Sequence, residues 1–166
     1  FPAVVMISGS GGQDRNEELL GHKPFLVISD YLTKNGIAVL RFDDRGIAQS
    51  TGDHSRATSE DFAKDVLSAV EFLKGRKEID KTKIGLIGHS EGGMIAPLVA
   101  VQSNDVAFMV MMAGLGISGD SILYLQGELI QRVEGMSEEE IRKSVKTQRE
   151  IFSIVKSSND DEKLVA

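Results

Sequence analysis

The chain has no cysteine and no tryptophan, and only three prolines among 166 residues. Without cysteine there are no disulfides, no thiolate metal sites and no thiol nucleophile; cysteine-free chains occur in reducing and oxidising compartments alike. Histidine is also scarce: His22, His54 and His89 are the full set, and no Cys/His/Asp/Glu spacing suggests a metal site. Long apolar runs are missing. Val106 to Ala113 falls far short of the roughly 20 residues that a membrane-spanning helix requires. Basic residues are outnumbered, 19 against 25 acidic, giving a net charge of −6 with no Lys/Arg stripe. That balance argues against nucleic acid as a partner, because phosphates demand a basic footprint.

What is present is a soluble-type composition, 41% hydrophobic and 27% charged, in a length that suits one domain with a real core. The chain opens at Phe1-Pro2 and runs directly into Ala3-Val4-Val5-Met6-Ile7, an apolar strand pattern, so further residues are expected upstream. The strand ends in a glycine-rich loop, Ser8-Gly9-Ser10-Gly11-Gly12. Pro24 to Leu32 reads as a helix with Pro24 in its first turn and Asn35-Gly36 as its stop. Ile37 to Phe42 reads as a strand broken by Asp43-Asp44-Arg45-Gly46. Thr58 and Asp61 resemble a capping box opening a helix whose stripe is Phe62, Val66, Ala69, Val70 and Leu73, closed by Gly75. Lys83 to Gly88 is a strand, Glu91 to Gln102 a small-residue helix, and Val106 to Met112 a strand apolar enough to be buried on both faces.

Strand and helix alternate throughout this stretch, which predicts an α/β fold: a three-layer sandwich with a mainly parallel sheet. Beyond Gly119 the texture changes to two charged helices, Asp120 to Val133 and a second opened by Ser137 with Glu140 as cap pair. The expected organisation is a core over 1–118 and a helical cap segment over 119–166, with Ser157 to Glu162 a loop or frayed end.

One motif carries chemistry. Gly88-His89-Ser90-Glu91-Gly92 lies between a strand and a helix, so Ser90 sits on a strand-to-helix turn. Such a turn holds a serine in a strained backbone conformation with its hydroxyl raised above the sheet. The helix N-terminus beneath it favours negative charge. The plainer alternative is a serine that only caps the helix. Acyl transfer also needs donors for a developing oxyanion: one is the Glu91 N–H, the other the N–H of Ser10 or, next to it, Gly11. The glycine loop has two competing readings, a tight turn and a phosphate cradle. The dinucleotide fingerprint fails because Asp14 stands where its third glycine belongs. Asp43, Asp44 and Arg45 read as loop-bracing charges rather than catalytic ones.

Taken together, Gly-His-Ser-Glu-Gly-Gly after one strand, Ser-Gly-Ser-Gly-Gly-Gln-Asp-Arg after an earlier one and Phe42-Asp43-Asp44-Arg45-Gly46 between them resemble the α/β-hydrolase superfamily. The bacterial esterase and serine-aminopeptidase-like group is the nearest part of it. The resemblance covers Phe1 to about Gly116 and departs at Ala48, where relatives usually carry glycine. It implies a serine hydrolase of carboxylic esters, with peptidase or thioesterase chemistry as close variants. The substrate would be a small acyl ester or short peptide, with no cofactor. It also implies the triad order Ser, acid, His. All three histidines precede Ser90, and Asp105, Asp120, Asp160 and Asp161 lack the expected place for the acid. The triad acid and histidine are therefore expected to be absent from this chain, along with two strands at each end of the sheet. A non-catalytic α/β module binding a ligand in the same cleft is the alternative. The four strands are expected in the order second, first, third, fourth, leaving two open edges suited to pairing with another copy.

Overall fold

The computed structural model describes residues 1–157. The described residues divide into two compact units, the first Phe1–Gly114 and the second beginning at Leu115.

The first unit is built on β1 (Ala3–Ile7), α1 (Pro24–Lys34), β2 (Ala38–Leu40), α2 (Ser59–Lys74), β3 (Ile84–His89), α3 (Glu91–Ala100) and β4 (Phe108–Met112). The four strands form one parallel sheet in the order β2-β1-β3-β4, the order expected from the sequence. Its register aligns Ile7 with Gly88 and His89 with Met112, so the C-terminal ends of β1, β3 and β4 lie side by side. In an open parallel sheet these ends are where ligand crevices form.

Alternation along β1 sends its residues to two cores. Ala3, Val5 and Ile7 pack with Ile84 and Leu86 against Val66, Val70 and Leu73 of α2 and Ile95, Ala96 and Val99 of α3. Val4, Met6 and Ile87 face the other way, onto Phe25 of α1, with Ile28 and Leu32 beside it. The result is three layers: α2 and α3, the sheet, and α1.

Local signals account for the helix ends. Asp61 N–H donates to the Thr58 hydroxyl while the Asp61 carboxylate accepts from the Thr58 N–H, a complete capping box. Pro24 starts α1, where its missing N–H costs nothing. Two expectations need correction. β2 is only three residues long, since Arg41 and Phe42 leave the ladder before the Asp43-Asp44 loop. β4 is not buried on both sides: Phe108, Met109, Val110 and Met111 are each 41–49% exposed. It is an outer strand of the described sheet, and an apolar run alone cannot distinguish an inner strand from an outer one.

The second unit contains α4 (Gly119–Val133) and α5 (Glu138–Ser157), packed on each other. Ser137 and Glu140 cap α5 reciprocally, as their spacing predicts. Tyr124 of α4 lies 5.4 Å from the Phe152 ring and beneath the Arg149 guanidinium of α5. Arg132 binds Glu128 one turn earlier in α4 and Glu138 across the turn between the helices. No described helix is long and apolar enough to cross a membrane.

Candidate active site

Ser90 follows the last residue of β3 and stands at the N-cap of α3, with φ +52° and ψ −114°. A non-glycine residue in that region is strained, and it is held there by its surroundings. Its N–H donates to the Met112 carbonyl at 2.9 Å, and its carbonyl accepts from the Gly93 N–H at 3.0 Å. The hydroxyl makes no capping bond, so capping does not explain this serine.

The flanking glycines are fixed by backbone proximity. A Cβ on Gly88 would lie 2.1 Å from the Gly92 carbonyl oxygen, and one on Gly92 would lie 2.2 Å from that of Ile7. A Cβ on Gly93 would lie 2.6 Å from Gly114 Cα. Helix α3 therefore starts tight against the ends of β1 and β4, and only glycine permits that approach.

Around Ser90 the backbone donors divide into used and free. The Gly9 N–H donates to Glu17 Oε1 at 2.7 Å and the Gln13 N–H to Asp44 Oδ2 at 2.9 Å. Among the described residues, the N–H groups of Ser10, Gly11, Glu91 and Gly92 donate to no protein acceptor. Ser10 shares with Ser90 a cleft of about 390 Å³, whose walls include Gly9, Glu17, Leu19, Leu20, His22, Pro24 and His89. That volume falls in the range of small-molecule sites. Gly11 and Glu91 border a separate cavity of about 20 Å³ together with Asp44. The loop Ser8–Gly12 thus leaves β1 beside the elbow, where the sequence placed it.

The acidic cluster braces loops, as expected. Asp43 is buried and accepts from the Arg15 N–H, the Arg15 guanidinium and the Gln49 N–H. The Arg15 bonds hold its carboxyl well below the ordinary carboxylate range. Burial pushes the Asp44 carboxyl up, opposed by bonds from the Ser8 hydroxyl and the Gln13 N–H. Arg45 forks onto Asp65 of α2 through Nε and Nη2, both at 2.7 Å. Ala48 has φ +46°. The glycine expected there from the resemblance would suit that conformation better, which makes the departure one of loop geometry.

The histidines occupy three different settings. His22 closes the tight turn Leu19–His22 and lines the cleft. His54 lies in a loop, its ring 5.5 Å from Phe62. His89 Nδ1 lies 2.7 Å from Glu17 Oε1. None of the three hydrogen-bonds Ser90. Glu17, with Leu19 and Leu20, is the part of the site that sequence reasoning missed, because 72 positions separate Glu17 from His89. Among the described residues no cluster of side chains suits a metal ion.

The parallel sheet flanked by helices, with a strained serine at the turn from β3 to α3, defines an α/β-hydrolase fold. Solved structures agree. The α/β hydrolase GrgF from Penicillium sp. sh18 superposes with a TM-score of 0.59 at 22% identity, covering 82% of this chain and 47% of that one. Est1E from Butyrivibrio proteoclasticus, solved with ferulic acid bound, gives 0.54 at 26% identity over 64% of this chain and 39% of that one. Residues 24–152 match the family described as serine aminopeptidase, S33, and the chain belongs to that family. Among curated proteins, esterase EstD of Thermotoga maritima is 35% identical over 103 residues, which is 62% of this chain and 24% of the relative. The chain spans about a quarter to a third of the length of the first curated relatives it matches.

Proposed function

We propose that this chain carries the nucleophile of a serine hydrolase acting on carboxylic esters, with Ser90 as that nucleophile. The observation that supports it best is the φ of +52° at Ser90, on a strand-to-helix turn beside unbonded backbone N–H groups. Backbone strain of this kind persists only where the surroundings over-determine it, and it concentrates at functional sites. The similar esterase and the similar structure solved with ferulic acid bound favour an ester over a peptide bond.

In the first half-reaction the Ser90 oxygen adds to the ester carbonyl, and its proton passes to a base and then to the leaving alkoxide. The alcohol departs and an acyl-serine remains. Water then adds to the acyl carbonyl, its proton taken by the same base and returned to Ser90, releasing the carboxylic acid. The Glu91 N–H and that of Ser10, with Gly11 as the alternative donor, receive the developing negative charge. Each such donor is worth about 10²–10³ in rate. The base is not one of the three histidines as the structure places them, since none of them hydrogen-bonds Ser90.

The test is labelling of the protein that carries this sequence by a fluorophosphonate probe. Labelling is expected in the wild type and lost in Ser90→Ala, together with hydrolysis of p-nitrophenyl butyrate. Labelling that survives Ser90→Ala would overturn the assignment. An unlabelled wild type that still binds a ligand in the Ser90 cleft would instead indicate a non-catalytic binding module.

A further inference from the structure

Glu17 is a charged residue that the chemistry above does not use, yet it is 7% exposed and has a left-handed backbone, φ +53°. A buried carboxylate is costly unless it is well partnered. A left-handed glutamate is strained as well. Two contacts converge on one of its oxygens. Glu17 Oε1 accepts from the Gly9 N–H at 2.7 Å and lies 2.7 Å from His89 Nδ1. Gly9 belongs to the loop Ser8–Gly12, and His89 is the residue before Ser90. We propose that Glu17 is a positioning residue: its carboxylate clamps the glycine loop to the nucleophile elbow and so fixes the free Ser10 and Gly11 N–H groups relative to Ser90. This rests on the reading of Ser90 as the nucleophile.

Three features around the clamp fit this role. Gly9 is where the parts meet: a Cβ there would lie 3.2 Å from Glu17 Oε1, 3.3 Å from His89 Nδ1 and 3.3 Å from Ser90 Cβ. Beyond Gly9, Ser10 and Gly11 donate no hydrogen bond within the described residues, and the loop's other ties run through Gln13, whose side chain donates to the Ser10 carbonyl at 3.1 Å and whose N–H donates to Asp44. Glu17 itself is anchored from behind. Its N–H donates to the Asp14 carbonyl, Asp14 Oδ1 accepts from the N–H groups of Asn16 and Glu18, and Arg15 is locked onto Asp43. Oxyanion donors act only when preorganised, and a misplacement of about 1 Å can cost on the order of 10²-fold. By engaging Gly9 from below, Glu17 removes one donor from the site and sets the place of the next two.

A positioning role predicts a loss in the transition state and not in substrate binding. In the protein that carries this sequence, Glu17→Ala is expected to lower kcat for p-nitrophenyl butyrate by about 10- to 100-fold with KM within about twofold. Its affinity for n-butylboronic acid, which forms a tetrahedral adduct on serine, is expected to fall by a similar factor. Glu17→Gln keeps an acceptor for Gly9 and a polar partner for His89, so it should recover to within a few-fold of wild type. His89→Ala, at a half-exposed position, should show a smaller kcat loss than Glu17→Ala, again at constant KM. Wild-type kcat in Glu17→Ala, a loss confined to KM, or Glu17→Gln as impaired as Glu17→Ala would each overturn the clamp. If Glu17→Ala does not fold, unchanged kcat in His89→Ala would do so. Ser90→Ala separates the two ideas: activity surviving in it refutes the nucleophile, whereas its inactivity alongside a fully active Glu17→Ala refutes the clamp alone.

Discussion

Replacing Gly92 by alanine tests whether the elbow is held by backbone contact. The new Cβ would stand 2.2 Å from the Ile7 carbonyl oxygen, 2.6 Å from that of Ser8 and 2.8 Å from the Ile7 carbonyl carbon. These are about 1 Å inside ordinary contact. No side-chain rotation relieves them, because both sides are main chain: the first turn of α3 and the end of β1, which is paired to β3 through Ile7 and Gly88. The helix start must move or the ladder must open. Overpacking costs about 1–3 kcal/mol where side chains adjust, and a backbone collision belongs at or above the upper end. Against a total stability of about 5–15 kcal/mol, a loss of about 3 kcal/mol lowers the urea midpoint by about 1–3 M. Gly85→Ala is the internal control. Its Cβ would lie 2.3 Å from Phe108 Cζ, an equal overlap, but Phe108 is 44% exposed on an outer strand and its ring can swing away. Alanine also recovers about 0.5–1 kcal/mol of the entropy cost of a strand glycine, so a net change below about 1 kcal/mol is expected. Urea denaturation followed by far-ultraviolet circular dichroism measures both. Gly92→Ala as stable as wild type, or Gly85→Ala as damaging as Gly92→Ala, would refute this account of the elbow.

Asp43→Asn should destabilise the protein by about 2 kcal/mol at pH 7, below the cost of breaking a fully buried pair because Arg15 is 45% exposed. The Asp43 carboxyl is held below its unfolded value of about 3.8, so its stabilisation is complete above that pH and is lost as pH falls toward the folded pKa. The gap between wild type and variant should therefore close below about pH 4 in acid-unfolding curves, and a gap constant with pH would contradict the ion pair. Leu20→Asn should raise Tm by about 2–4 °C, since Leu20 (φ +52°) and Gly21 (φ +81°) form a turn of the kind that favours Asn-Gly; a fall in Tm by calorimetry would show that Leu20 packs more than it strains. Thr58→Ala removes half of the α2 capping box and should cost about 1 kcal/mol by denaturant titration.

Legibility followed the range of the interactions. Caps at Thr58–Asp61 and Ser137–Glu140 were readable because both partners lie within four residues of each other. The elbow was readable because its glycines, strand and helix are contiguous from Ile84 to Ala100. Strand order also came through, since alternation with short crossovers leaves few topologies. The exposure of β4 did not, because burial belongs to the neighbours of a strand and not to its composition. Nor did the role of Glu17: its partners are Gly9, within its own polar stretch, and His89, across the sheet. Nothing in the run Asp14-Arg15-Asn16-Glu17 distinguishes the one acid that turns inward. Leu20 was equally silent, since a left-handed leucine has no sequence signature.

Charge around Ser90 shows why that inward turn matters. A site that is to accept negative charge on a substrate oxygen gains from free N–H dipoles and loses from nearby carboxylates. Three carboxyl groups stand close to this one, and each is engaged by the protein. Glu17 takes the Gly9 N–H and the His89 ring. Asp44 takes the Ser8 hydroxyl and the Gln13 N–H, and its burial raises its pKa, weakening its hold on negative charge. Glu91 takes the Ser59 hydroxyl of α2. Both Asp44 oxygens and one oxygen each of Glu17 and Glu91 are tied to the framework, while the donors of Ser10, Gly11, Glu91 and Gly92 have no protein acceptor among the described residues. The acids thus act on the site through the positions of the loops they tie down, so neutral replacements that keep the ties should preserve the site better than truncations that cut them.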